Sequence, residues 1–316
     1  MNVIYGVNSK YVIPALVSIF SVSKHTSKPV DFVIFGDQIE DDISIEAIMT
    51  VSDKCNLNIS LRSFDADLFQ EYKQLDGKKF PAVSLLPLML PSLIDDRCLF
   101  LDADTLIMGD VINLFEADLE GKLIGACLDI GQATYVRDRF SRLRASDVFR
   151  PRYAQQKRKT HLLRVFELGF IPDENYFNSG VLLMDCPAIR KSSLDLEDLV
   201  NAKRLRPYHA FMPDQDRLNE FFFGKWFQFP LKWNTRPAVK KDVGRRLKTR
   251  FRDVSKNLVC QMQEAASDPK IWHFMGSKKP WEKKWRKLMF MRQAYQDYHS
   301  LCCEFEDRTG IKVDVT

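Results

Sequence analysis

Hydrophobic positions along this chain fall into short unbroken runs that alternate with stretches patterned at helical spacing. Val3–Val7 is an apolar run ending at Asn8-Ser9 and predicts a first strand. From Tyr11 to His25 the residues Val12, Ala15, Leu16, Ile19 and Phe20 recur as one face of a helix. Asp31–Gly36 predicts a second strand, closed by Gly36-Asp37. A helix is expected over Asp41 to Lys54, with Asp and Ser at its start and Ile43, Ala47, Ile48 and Val51 on one side. Leu57–Phe64 alternates as a third strand, and Val83–Ile94 is apolar and helical in pattern despite Pro87. Arg97–Leu101, Leu123–Leu128 and Gly180–Asp185 predict further buried strands. Strands alternating with helices imply βαβ units and a mostly parallel sheet. Runs that are apolar at every position imply that both faces of that sheet are covered.

Composition narrows the class. With 316 residues, the chain can form two domains or one large α/β domain with a tail. It has 45% hydrophobic residues, too many for a disordered chain, and 13 Gly and 14 Pro, too few for a collagen-like one. The N-terminus lacks a basic leader, and the longest apolar run, Val12–Phe20, falls short of the roughly 20 residues of a membrane span. The 7 cysteines include no Cys-x-x-Cys pair, and Cys98, Cys127 and Cys186 lie in or beside apolar runs. Reduced thiols and a cytoplasmic location are expected.

The net charge of +5 is unevenly spread. Between Arg137 and Arg164 there are ten Lys/Arg against two Asp/Glu, which reads as a basic insertion at about 132–172, helical in part. From Lys278 to Arg292 there are seven Lys/Arg against one Glu, interleaved with Trp281, Trp285, Leu288, Met289 and Phe290. A solvated face is the default reading of such runs. The aromatic interleaving suits an amphipathic helix on anionic lipid, where each basic residue contributes about 1 kcal/mol. The expected organisation is a catalytic domain over 1–281 and a basic, aromatic helical tail over 282–316 that attaches peripherally to a membrane. No nucleic-acid-binding module is recognisable, so no nucleic-acid partner is expected.

Four segments carry chemistry. Leu99-Phe100-Leu101-Asp102-Ala103-Asp104 is a buried strand ending in two carboxylates. Strand periodicity puts both on one side, and ligands of open α/β sheets bind beyond the carboxyl ends of strands. Carboxylates ~7 Å apart repel by about 2 kcal/mol at an effective dielectric near 20, and a hard divalent cation such as Mg²⁺ or Mn²⁺ reverses that sign. Taken alone, the pair reads as a polar turn after a strand, and its place after four apolar residues in an α/β pattern puts the site reading level with that one. Tyr176-Phe177-Asn178-Ser179-Gly180-Val181 reads as a small polar turn feeding a buried strand, with Asn178 able to donate to and accept from a hydroxylated ligand. Asp214-Gln215-Asp216-Arg217-Leu218-Asn219 opens a helix, where Asp214 reads as an N-cap. Trp272-His273-Phe274-Met275-Gly276-Ser277-Lys278-Lys279-Pro280-Trp281 reads as a strand end and a loop able to cover a diphosphate.

In this order the four segments resemble glycosyltransferase family 8, which includes bacterial lipopolysaccharide galactosyl- and glucosyltransferases and the glycogenins. The matching pieces are Leu101-Asp102-Ala103-Asp104, Phe177-Asn178-Ser179-Gly180-Val181, Asp214-Gln215 with Leu218-Asn219, and His273-x-x-Gly276-x-x-Lys279-Pro280-Trp281. The resemblance runs from residue 2 to about 281. It implies a GT-A fold, with a Rossmann-like mixed central sheet flanked by helices. It also implies retaining transfer of galactose or glucose from a UDP-sugar, assisted by Mn²⁺ or Mg²⁺, to an oligosaccharide or lipid-linked glycan of the lipopolysaccharide type.

Carried over residue by residue, the resemblance gives Asp102, Asp104 and His273 to the metal and the Ala103 backbone to the ribose. Gly6, Val7, Asn8 and Tyr11 would cradle the uracil, with Tyr11 stacking. Asn178 and Asp214 would bind donor-sugar hydroxyls, and Gln215 would lie beneath the anomeric carbon. Gly276 and Lys279 would close over the phosphates. Two departures stand out: Asn8 replaces a usual acid, and Pro87 stands where an Arg is usual, with Lys78, Lys79 or the insertion as substitute cations. These departures favour the competing expectation, a catalytically degenerate protein of the same fold that binds membrane or glycan through its basic segments. An aspartate-nucleophile phosphatase is disfavoured because Leu106 replaces its usual Thr or Val.

Overall fold

The computed structural model describes residues 1–65, 81–131, 174–201, 212–248, 256–276, 279–282 and 292–313. The expected insertion at 132–172, Lys78, Lys79 and residues 283–291 of the basic, aromatic stretch lie outside the described residues.

The strands are β1 (Asn2–Asn8), β2 (Asp31–Asp37), β3 (Asn58–Ser63), β4 (Cys98–Leu101), β5 (Thr105–Ile107), β6 (Ile124–Leu128), β7 (Phe177–Met184), β8 (Trp226–Phe229) and β9 (Ile271–His273). The helices are α1 (Val12–His25), α2 (Asp42–Cys55), α3 (Leu86–Leu93), α4 (Ile112–Phe115), α5 (Cys186–Lys191), α6 (Leu196–Val200), α7 (Pro213–Phe221), α8 (Val239–Lys248), α9 (Lys256–Ser267) and α10 (Arg292–Thr309). Asp41 caps α2 as expected, its side chain accepting from the Ser44 N–H at 2.8 Å. Pro87 is tolerated because it falls in the first turn of α3, where its missing N–H would have no intrahelical partner.

Seven strands form one sheet in the order β3-β2-β1-β4-β7-β6-β8, and β5 pairs with β9 in a separate two-stranded ribbon. Pairing is parallel from β3 through β4 and between β6 and β8, but β7 runs antiparallel to both β4 and β6. The sheet is therefore mixed, and less parallel than the alternation of elements alone suggests. The apolar runs are explained by two cores. Val3, Tyr5, Val7, Leu99, Leu101, Val181 and Leu183 pack on one face, while Ile4, Phe100, Leu182 and Met184 pack on the other. Strand periodicity divides each run between the faces.

Helix α10 belongs to the first core. Its Tyr295, Tyr298, Leu301, Cys302 and Phe305 are buried, and Phe305 meets Phe20 of α1 edge to face at 5.6 Å. The last helix is thus built into the globule on α1 and α2. No helix among the described residues is long and apolar enough to cross a membrane.

Candidate active site

The site forms where β4 ends. Asp102 donates its N–H to the Gly180 carbonyl at 2.9 Å, and the chain then turns through Ala103 and Asp104 into β5. Thr105 locks that turn, its Oγ1 donating to the Asp102 carbonyl at 2.8 Å and meeting Ser18 Oγ at 2.9 Å. Ser18 in turn bonds Tyr5 at 2.9 Å, tying the turn to α1 and β1. In the ribbon, Thr105 is the register partner of His273, and the Phe274 N–H reaches the Asp104 carbonyl at 2.9 Å. This pairing brings the imidazole between the two acids: Nε2 lies 3.3 Å from Asp102 Oδ2 and 3.2 Å from Asp104 Oδ1.

One ligand atom from each of the three residues falls within 4.8 Å of the others, the only such cluster of three or more acidic, His or Cys ligands among the described residues. Six-coordinate Mg²⁺ binds ligands at about 2.1 Å, so neighbouring ligand atoms stand about 3 Å apart. The separations of Nε2 from both carboxylates fit that spacing. Gly180 makes the room, since a Cβ there would press on the His273 ring and on the Asp102 carboxylate, 3.0 Å from its Cγ. The donor set of two carboxylates and an imidazole suits Mn²⁺ or Mg²⁺.

Electrostatics hold the cluster together without a cation. Burial acts to lower the His273 pKa, but Asp104 and Asp102 outweigh it and push it up to about 9. Burial acts to raise Asp104, yet His273 and Lys279 hold its carboxyl well below the usual carboxylate range. Lys279 ion-pairs with Asp104 and donates to the Phe274 carbonyl at 3.1 Å. Burial acts against the Lys279 charge, and Asp104 reverses that and raises its pKa.

Other expected residues line the same edge. Asn8 and Tyr11 flank the end of β1, and Asn8 Oδ1 is a buried acceptor with no partner among the described residues. Val7 is buried in the core, so only its backbone faces the strand end, and Gly6 packs against Val83 and Leu86. Tyr11 meets Trp281 edge on at 5.9 Å and carries Lys279 5.9 Å above its ring. Gly276 adopts φ +94°, a left-handed bend that glycine takes without strain.

Asn178, Ser179 and Gly180 do not form a turn before a strand. They lie inside β7, where the β6–β7 register shifts between Ala126 and Cys127. Asp214 is not an N-cap either, since Met212 holds that place in α7. Asp214 instead accepts from Ser179 Oγ at 2.8 Å, and burial together with Asp102 pushes its pKa up to about 6. Gln215 Oε1 accepts from Asn178 Nδ2 at 3.0 Å and from the Ser179 N–H at 3.2 Å.

Asp129 and Asn234 escape the sequence reading. Gln215 Nε2 donates to Asp129 Oδ2 at 2.8 Å, and Asn234 contacts His273 Nδ1 at 2.9 Å. Asp129 had a usable signal, because it follows an apolar strand just as Asp102 does. Asn234, after a short 3₁₀ turn at Leu231–Trp233, had none.

A mixed sheet with acids at its carboxyl edge, antiparallel β7 and a separate ribbon bearing a histidine define a GT-A glycosyltransferase fold. The GT-A galactosyltransferase LgtC, solved with donor and acceptor sugar analogues, aligns over 98% of this chain and 100% of its own at TM-score 0.67 and 20% identity. The bifunctional glycosyltransferase WbbM aligns at TM-score 0.70 and 21% identity over 98% of this chain, which spans about half (52%) of WbbM. Residues 2–285 match the family described as Glycosyl transferase family 8, and the chain belongs to that family. Among curated relatives, a lipopolysaccharide 1,2-glucosyltransferase of Escherichia coli is 26% identical over 295 residues, covering 90% of this chain and 73% of that protein. General stress protein A of Bacillus subtilis is 24% identical over 234 residues, 72% of this chain and 68% of its own length.

Proposed function

We propose that this glycosyltransferase transfers galactose or glucose from a UDP-sugar to a glycan acceptor with retention of configuration. The observation that carries the reading is the meeting of Asp102, Asp104 and His273 at the sheet edge occupied by Asn178, Asp214 and Gln215. The three ligands would hold Mn²⁺ or Mg²⁺, which supplies Lewis-acid stabilisation of the departing nucleoside diphosphate. Lys279 adds positive charge beside the same carboxylates, and the Gly276 bend lets the backbone approach the phosphates. Asn8 Oδ1, an acceptor without a partner among the described residues, suits the N3–H of uracil. Tyr11 offers a ring for the base, and the Ala103 backbone reaches the ribose. Asn178 and Asp214 bind donor hydroxyls. Gln215 lies beneath the anomeric carbon, its amide oxygen held by Asn178 and Ser179, and contributes its fixed dipole to the polar floor of the site.

The acceptor is an oligosaccharide or lipid-linked glycan of the lipopolysaccharide type, in keeping with the named activity of the Escherichia coli relative. The basic, aromatic stretch 278–292 serves peripheral attachment at the cytoplasmic face of an anionic membrane. A panel of UDP-sugars assayed for Mn²⁺-dependent UDP release tests the assignment. Release from one UDP-hexose, abolished in Asp102→Ala and Asp104→Ala, is expected. Equal turnover in both variants would remove the metal site from the mechanism.

A further inference from the structure

Behind the metal ligands runs a line of buried amides. Asp129 Oδ2 accepts from Gln215 Nε2 at 2.8 Å, and Gln215 Oε1 accepts from Asn178 Nδ2 at 3.0 Å. Asn178 Oδ1 accepts from Asn234 Nδ2 at 2.8 Å, and Asn234 Oδ1 meets His273 Nδ1 at 2.9 Å. All five side chains are buried.

The polarity of this line is forced. A carboxylate offers only acceptors, so Gln215 must turn its NH₂ toward Asp129. Backbone N–H groups can only donate, and two of them fix the next two amides independently. Ser179 donates to Gln215 Oε1 at 3.2 Å, and Gly180 donates to Asn178 Oδ1 at 3.1 Å. Asn234 must therefore give its NH₂ to Asn178 and its oxygen to His273. That oxygen requires a proton on Nδ1, which leaves Nε2, the atom between Asp102 and Asp104, as the ring's ligand atom.

We propose that Asp129 and Asn234 are positioning residues: through the Gln215–Asn178–Asn234 relay they fix the tautomer of His273 for metal binding and the pose of Gln215 for the sugar. The inference deepens the reading of the site as metal-dependent and rests on it. It couples the donor-sugar side of the cleft to the cation side with no direct contact between Asp129 and any metal ligand.

The test uses the full chain, freed of metal and without any UDP-sugar. Mn²⁺ affinity is measured from the electron paramagnetic resonance of free Mn²⁺, and the His273 tautomer from ¹⁵N spectra of histidine-labelled protein loaded with diamagnetic Mg²⁺, because the metal-free ring carries both protons at neutral pH. Asn234→Ala and Asp129→Ala are expected to weaken Mn²⁺ binding about 10- to 100-fold and to release the Nδ1 proton from its fixed position. Asp129→Asn, whose Oδ1 still accepts from Gln215, restores both. Alanine variants that hold Mn²⁺ like the parent and keep the Nδ1 proton overturn the relay. If Asp129→Ala does not fold, Asn234→Asp decides. It keeps an acceptor for Nδ1 but loses the donor to Asn178, so parental Mn²⁺ affinity with a raised donor KM is expected, and a parental KM overturns the relay. A parent chain that binds no Mn²⁺ overturns the metal reading instead, while ¹⁵N spectra of the metal-free chain at a pH above the His273 titration, where the ring is neutral, still judge the relay.

Discussion

Gly180→Ala is a steric probe of the proposed metal site. The residue sits within β7 and is absent from the positive-φ positions, so alanine meets no backbone strain there. The exchange even restricts the unfolded chain, an effect that stabilises by about 0.4–1 kcal/mol. The new methyl, however, stands 3.0 Å from Asp102 Cγ and closer still to its Oδ2 and to His273 Cε1, whereas ordinary contact begins at 3.4 Å. The nearest atom belongs to the His273 ring, which is 3% exposed and held by Asn234, so the methyl is admitted only if that ring and the 41% exposed Asp102 side chain are both displaced. A displacement of about 1 Å in a catalytic group costs about 10²-fold in rate. The expected outcome is a loss of that order in kcat/KM for UDP release, a matching rise in the Mn²⁺ Kd, and a Tm lowered by overpacking that costs about 1–3 kcal/mol. Gly125→Ala is the control, because its methyl strikes Phe229 and Leu119 in the core. Overpacking there should cost about 1–3 kcal/mol of stability with Mn²⁺ affinity intact. A Gly180→Ala protein with parental Mn²⁺ affinity and turnover would refute the placement of the cation.

Three further outcomes are expected. Asp214 titrates near pH 6 in the folded protein against 3.8 unfolded, so the native state holds the extra proton and stability falls as pH rises between those values. The loss totals about 3 kcal/mol, and Asp214→Asn should abolish it in metal-free chemical denaturation series at pH 4 and pH 7. Phe305→Ala, which empties the contact between α10 and α1, should cost about 3–5 kcal/mol in urea unfolding; a cost under 1 kcal/mol would mean that α10 is dispensable to the core. Replacing the lysines and arginines at 283, 284, 286 and 287 with glutamine should abolish sedimentation with anionic vesicles while leaving UDP release intact; unchanged sedimentation removes the membrane role from this stretch.

Much of this architecture is legible in the sequence because it is local. The apolar runs of β1, β2, β4 and β6 announce strands buried on both faces, and Asp102 and Asp104 fall where the last hydrophobic residue of β4 gives out. The readings that failed depend on pairing. Asn178 and Ser179 look like turn residues because both are small and polar, and only the antiparallel neighbour β6, which pairs Cys127 with Asn178, draws that segment into the strand. Asp214 resembles a cap by position, but Ser179 of β7 donates its hydroxyl to that carboxylate. His273 stood out by composition, whereas its partnership with Asp104 depends on the β5–β9 register. Asn234 carries no local pattern at all, since its role exists only in what it links.

The β5–β9 ribbon also orders the birth of the enzyme. On the ribosome, the turn bearing Asp104 and the strand β5 that follows it emerge long before the strand bearing His273, separated by a stretch that takes on the order of 10 s to translate. Until Ile271–His273 is made, β5 has no mate and the third of the proposed metal ligands does not exist. A nascent or prematurely terminated polypeptide can build β1 through β4 and still be chemically silent, so competence arrives only after the bulk of the message has been read.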